Sequence, residues 1–428
     1  MTAQPAAAAA PESSPASARQ DSRNWSGQLI LALLAAALTV YLSFESGGYF
    51  SSSYGLATLV VTFALIARIL VVEHPFAGAT RRYLGVTAVF AAYTCWTLAS
   101  ALWSHAEGPA LTEFSRCLLY LLLLALFGSV PRSLALTRWI VRGLALAAVL
   151  VCGAGLITRL LPGVWPTQAS FAADRLSYPL TYWNALGVLA AIGLILALGL
   201  ASDSGESRAT RALAAASAPI LAATLLLTLS RGAIGSLAIG AAAFVVVAGS
   251  PRVVKALIAA VPPTAVAAVI TYHASLLNSN TPTSAAAAAQ GRHVAVAVLV
   301  AAVVAGALSA ALDAVGPRVA RALPSHRPER LIRTGFAVAL LGVLAAAALS
   351  GFISREYTGF VQSAAVPGTQ SRLTSSSSDG RTAIWSAAVR AFDSSPLHGT
   401  GAGTFGSDWF TYRQGNGQLV VDAHNLYL

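Results

Sequence analysis

Apolar runs of about 17–21 residues recur along the whole chain, each long enough to cross the hydrocarbon core of a bilayer as a helix. They lie near 28–44, 54–72, 83–103, 114–130, 139–158, 184–201, 212–229, 232–249, 254–271, 293–312 and 334–353. In lipid, a backbone must satisfy its own hydrogen bonds, so such runs fold as helices and not as open strands. Composition agrees: 56% of the residues are hydrophobic and only 10% charged, where soluble domains carry about 25%. The expected fold class is all-α, a polytopic membrane protein with about eleven spans.

Orientation follows from the basic residues, all arginine except Lys255. With the N-terminus in the cytoplasm, most fall in inner connections: Arg81 and Arg82; Arg132, Arg138 and Arg142; Arg208 and Arg211; Arg252 and Lys255; and the 313–333 loop. That is the bias of the positive-inside rule, and it explains the net charge of +11 without nucleic acid. Three parts result: a disordered cytoplasmic tail over 1–22, a helical membrane domain over 23–353, and an extracytoplasmic segment over 354–428. The tail is Ala, Pro, Ser and Gln with few large apolar groups, unable to bury a core. Cys95, Cys117 and Cys152 lie in apolar runs and read as small packing residues.

A minority of arginines fall on the outer side against the rule, and Arg116, Arg159, Arg175, Arg231, Arg381 and Arg390 stand out among them. Each needs either a structural partner or an anion. Arg231, in Ser230-Arg231-Gly232-Ala233, caps a tight connection between two spans. It is an interface anchor or, through its planar fork of donors, a phosphate clamp. Arg175 precedes Tyr182-Trp183-Asn184-Ala185-Leu186-Gly187. The two rings suit the membrane interface or a sugar face, and Asn184 reads first as a helix N-cap.

The outer segment contains Ser378-Asp379-Gly380-Arg381, a helix-start signal. Ile384, Trp385, Ala388, Val389 and Phe392 follow at helical spacing, which predicts an amphipathic helix on the outer leaflet, ended by Pro396. Arg381 then stands beside helix N-terminal amides, which favour anions. The glycine-rich Pro396–Gly406 stretch follows no strand and reads as a flexible turn, with His398 structural, and not as a nucleotide loop. Near the end, His424 has a side chain whose ordinary pKa suits a general base near neutrality. No His/Cys/Asp/Glu cluster has metal-ligand spacing, and no Asp-x-Asp pair suits a metal-bound sugar nucleotide. No metal or cofactor is implied, and no basic run interleaved with aromatics suggests nucleic acid.

Together these motifs resemble the O-antigen ligase and polymerase superfamily of multi-spanning bacterial glycosyltransferases. Four features carry the resemblance: the Arg-containing loop running into Tyr182–Gly187; Ser230-Arg231-Gly232-Ala233; Gly380-Arg381 with Trp385 and the Pro396-Leu397-x-Gly399-x-Gly401 turn; and His424-Asn425-x-x-Leu428. The resemblance implies a bacterial inner-membrane enzyme whose active face is extracytoplasmic. Its implied donor is a glycan on polyprenyl (undecaprenyl) diphosphate, and its acceptor a glycan or lipid hydroxyl. It implies that Arg175, Arg231 and Arg381 hold the diphosphate and that His424 is the base, with Ser230, Asn184, Trp385 and Asn425 in support. Direct displacement would then be inverting and metal-independent. Such proteins normally carry further spans after the histidine motif, whereas this sequence stops at Leu428. A transporter of a small anion and an inactive, truncated family member are the competing readings.

Overall fold

The computed structural model describes residues 15–167, 173–322, 380–413 and 420–423, together with 334, 335, 358, 373 and 378. Ten long helices run in sequence: α1 Pro15–Phe44, α2 Ser51–Val71, α3 Arg81–Ala99, α4 Glu107–Gly128 and α5 Leu134–Leu160, then α6 Trp183–Ser202, α7 Arg208–Leu227, α8 Arg231–Ala248, α9 Pro251–His273 and α10 Ala285–Ala322. Two shorter helices follow, α11 Arg381–Ser394 and α12 Phe405–Tyr412. Among the described residues there is no strand. Nine helices there are long and apolar enough to cross a membrane, and Leu29–Phe44 adds a shorter apolar stretch. The chain is therefore an all-α polytopic membrane protein. The eleventh expected span, 334–353, lies outside the described residues apart from 334 and 335.

Hydroxyl side chains start several helices. Thr80, Ser133, Ser207 and Ser230 each accept a hydrogen bond from the backbone N–H three residues on, filling an amide that the helix leaves without a partner. Inside the spans, Thr58, Thr62, Thr87 and Thr94 donate to the carbonyl four residues back. A hydroxyl is thereby carried into an apolar surround at little cost.

Helix α7 lies at the centre, packed against α5, α6, α9 and α10. Its Leu221 and Leu225 meet Ala148, Val151, Cys152, Leu186 and Val298 in one core. A second core joins α1, α2, α4 and the start of α5 through Leu31, Val61, Leu119 and Leu136. Among the described residues, helix α8 packs chiefly against α6, and most of its length is uncovered by them. Of the three cysteines only Cys152 is buried; Cys95 is exposed on α3, so it is no interior packing residue.

The contacts separate two ends of the bundle, as the alternating topology requires. At one end, Arg138 pairs with Asp203 at 3.3 Å and Arg142 with Glu206 at 2.7 Å. There Asp313 takes both Arg211, at 2.7 Å, and Lys255. Arg68 also belongs to this end, where it donates to Pro75 O and Ser129 O and closes α4. Arg138, Arg142, Arg211 and Lys255 are among the basic residues expected on the cytoplasmic side. At the opposite end, Phe44, Trp165 and Tyr178 form an aromatic cluster with centroids 5.9–6.4 Å apart. Helices α11 and α12 form a cap there, with Ile384, Ala387, Ala388, Trp409 and Ala423 as its core.

Candidate functional site

The cap-side end gathers the connections α5–α6, α7–α8 and α9–α10. Thr228, Leu229 and Ser230 alone separate α7 from α8, and Leu229 turns the chain at φ +51°. A left-handed leucine costs energy that the surrounding contacts must offset; its side chain is buried. This tight corner puts Ser230 at the N-cap of α8 and Arg231 at its first position. Ser230 Oγ donates to Asn184 Oδ1 at 2.8 Å, and Asn184 Nδ2 donates to the Tyr182 hydroxyl at 2.8 Å. The N-termini of α6 and α8 are thus tied side by side.

Asn184 is not the N-cap expected from the sequence. Helix α6 begins one residue earlier, at Trp183, with Tyr182 in the cap position. The amide is committed instead to the link with Ser230. Arg175 lies over the ring of Trp183, its guanidinium carbon 4.5 Å from the centroid, and its side chain is 12% exposed. Asp174 stands 3.7 Å from it. Arg175, Trp183, Asn184, Ser230 and Arg231 are therefore brought into one patch from three segments of sequence. No acidic residue occupies the first turn of α6 or α8, so both dipoles present positive ends to it.

The 173–182 segment follows the end of α5 closely because Gly155 has no side chain. A Cβ there would collide with Tyr178 O. Arg159, in the last turn of α5, is 7% exposed and donates to Ala173 O at 2.9 Å, Arg175 O at 2.8 Å and Leu277 O at 2.7 Å. Asn278 donates to Asp174 O at 2.7 Å and Leu227 O at 3.0 Å. From the sequence, Arg159 is only one of several arginines on the unexpected side, and Asn278 carries no signal. Their acceptors are backbone carbonyls, which look alike in any sequence.

The cap holds the other expected residues. Arg381 opens α11 after Gly380, which sits at φ +81°. Ile384, Ala387, Ala388 and Ala391 are buried, whereas Val389 and Phe392 are exposed. The expected apolar stripe is therefore divided, because α12 and Ala423 cover only one side of it. Trp385, one turn after Arg381, donates from Nε1 to Ala423 O at 3.1 Å. His424 and Asn425 lie outside the described residues.

The glycine-rich turn seats the cap on the connection between α3 and α4. Ala402 N donates to Ser100 Oγ at 3.0 Å, and Trp103 Nε1 donates to His398 O at 3.2 Å. Gly401 adopts φ +115°, and a Cβ on it would fall on Ser104. His398 packs its ring 5.5 Å from Trp103, a structural contact.

Arg116 pairs with Glu113 at 2.6 Å and covers Tyr49, Arg159 holds carbonyls, Arg390 donates to Tyr412 O at 3.1 Å, and Arg175 meets Asp174 and Trp183. What sets Arg175, Arg231 and Arg381 apart is position: each stands at or beside a helix N-terminus.

No curated protein and no solved structure matches the chain. Residues 282–428, from the start of α10 through the cap, match the family described as O-antigen ligase. The chain carries this family's region in its C-terminal third, and the match supports its place in the O-antigen ligase and polymerase superfamily.

Proposed function

We propose that the chain transfers a glycan from a polyprenyl diphosphate carrier to an acceptor hydroxyl on the extracytoplasmic face of the bacterial inner membrane, as ligase or polymerase. The observation that carries this reading is the joining of α6 and α8 through Asn184 and Ser230, with Arg175 and Arg231 beside the paired N-termini. Guanidinium forks and helix amides both favour phosphate oxygens. Arg381 adds a third cation from the cap.

In the reaction, the acceptor oxygen attacks the anomeric carbon. The bond from that carbon to the diphosphate oxygen breaks, and the electron pair leaves with polyprenyl diphosphate. The leaving group is anionic throughout, so it needs charge stabilisation more than a proton, the task of the three arginines. His424 takes the acceptor's proton as a neutral imidazole. A single displacement inverts the anomeric centre, and the charge is balanced by the protein without a metal. Trp385 supports this placement by holding Ala423, the neighbour of His424, one helical turn from Arg381.

A cavity of about 300 Å³, lined by Leu194, Leu198, Leu237, Ala241, Leu257 and Val261 among others, lies between α6, α7, α8 and α9. Leu194 is ten residues along α6 from Asn184, about 15 Å deeper.

The test is the surface-glycan profile of the native host with His424→Ala or Arg175→Ala at matched protein levels. Loss of polymer with accumulation of lipid-linked units is expected. An unchanged profile in both variants would sink the reading.

A further inference from the structure

Arg175 belongs to a connection without regular secondary structure, where Asp174 lies 3.7 Å from its guanidinium. The backbone that carries both residues is held from outside the segment. The carbonyls of three consecutive residues, 173, 174 and 175, each accept a hydrogen bond from a buried side chain. Arg159 takes Ala173 and Arg175, and Asn278 takes Asp174. Leu176 N then donates to Leu227 O at 2.9 Å, and Asn278 donates to that same carbonyl. Arg159 also reaches Leu277 O, beside Asn278. Four elements meet in this lattice: the end of α5, the 173–182 segment, the end of α7 and the turn after α9.

We infer that Arg159 and Asn278 are positioning residues. They fix the Arg175 backbone at a set height above α6, so that its guanidinium rests on Trp183 and faces Ser230 and Arg231's end of α8. The inference rests on the donor-binding reading of that patch.

The chemistry of the two side chains fits the task. A buried guanidinium is costly unless its donors are filled. Arg159 places three donors on carbonyls from two separate segments, with the Asp174 carboxylate near enough to act on its charge. Only a planar fork of several N–H groups can do this; a lysine offers one point of charge on a flexible stem. Asn278, 5% exposed, uses one amide nitrogen for two carbonyls. Its isostere aspartate would present oxygen to oxygen. Neither residue has a place in the diphosphate patch itself.

The experiment uses the full chain in lipid nanodiscs, with undecaprenyl diphosphate as the probe. Its dissociation constant is measured for wild type, Asn278→Ala, Arg175→Ala and the double variant. Asn278→Ala is expected to weaken binding about five- to tenfold in the wild-type background and to have almost no further effect in the Arg175→Ala background, because coupled residues are not additive. Equal weakening in both backgrounds would make Asn278 merely structural and overturn the inference. So would an unaltered affinity in Asn278→Ala where Arg175→Ala is weakened.

Hydrogen exchange of the 173–182 amides gives a second readout, independent of ligand. It should speed up about tenfold or more in both Asn278→Ala and Arg159→Lys, with α7 and α9 unchanged. Unchanged exchange in that segment would also overturn the positioning role. Loss of probe affinity in none of the variants, with faster exchange in 173–182, would refute the donor reading and leave the positioning one standing.

Discussion

Arg231 occupies the first helical position of α8, where a cation meets the positive end of the helix dipole. That placement is unfavourable by roughly 0.3–1 kcal/mol unless an anion is nearby. Arg381 repeats it on α11. Both residues therefore gain from a bound diphosphate more than an arginine elsewhere on the same helices would. Arg231→Ala is expected to lower glycan transfer at least about tenfold, and Arg231→Lys to recover only part of it, since lysine supplies charge without the bidentate fork. Glycan formed per unit of membrane-inserted protein is the measurement. The residues proposed to meet the donor are legible in the sequence as arginines on the unexpected side of the membrane. Their sorting is not. Arg116, Arg159 and Arg390 look no different from Arg175 until the groups each one touches, and its place relative to a helix N-terminus, are located in space.

Helices α2 to α10 cover the apolar runs that hydropathy marks, because length and apolarity are local properties that a sequence displays directly. Helix α1 differs: it starts at Pro15, within the 1–22 stretch expected to be a disordered tail, and only Leu29–Phe44 of it is apolar. The starts of the helices are less legible. Helix α6 begins at Trp183, and Asn184, a favoured cap residue by type, is drawn into a bond with Ser230, 46 positions along the chain. The stripe on α11 misleads in a related way. Periodicity shows that one face is apolar, but α12 and Ala423 decide how much of it is covered. The glycine-rich turn is legible as a turn, while its docking is visible only in three dimensions. Gly401 has a backbone conformation that a side chain strains, and it lies against Ser104. Gly401→Ala should therefore loosen the cap. Limited proteolysis should cut within 380–413 several times faster, with the melting of the membrane helices unchanged. Equal cutting rates would show that the turn does not latch the cap.

Across the whole molecule, charge is arranged by end. Asp313 is 2% exposed and joins α10 to α7 through Arg211 and to α9 through Lys255. Breaking a buried pair by removing one partner typically costs roughly 3–5 kcal/mol, because the other charge stays buried and uncompensated. Lys255 is partly exposed, which places Asp313→Asn toward the lower figure. Its expected effect is a lowered thermal midpoint in detergent, read by intrinsic fluorescence, with α10 the first helix to come away. An unaltered midpoint would show that the three helices hold by apolar packing alone.

Helix α8 carries one of the two arginines of the patch at its tip, and among the described elements it leans chiefly on α6. That tip is tied to α6 through Ser230 and Asn184 and follows α7 by three residues. The helix is thus hinged at the end that carries Arg231, and the opposite end, near Ala248, is the one left to swing. A membrane of different thickness would be met by movement there, while the spacing of Arg231 from Arg175 stays a property of the protein.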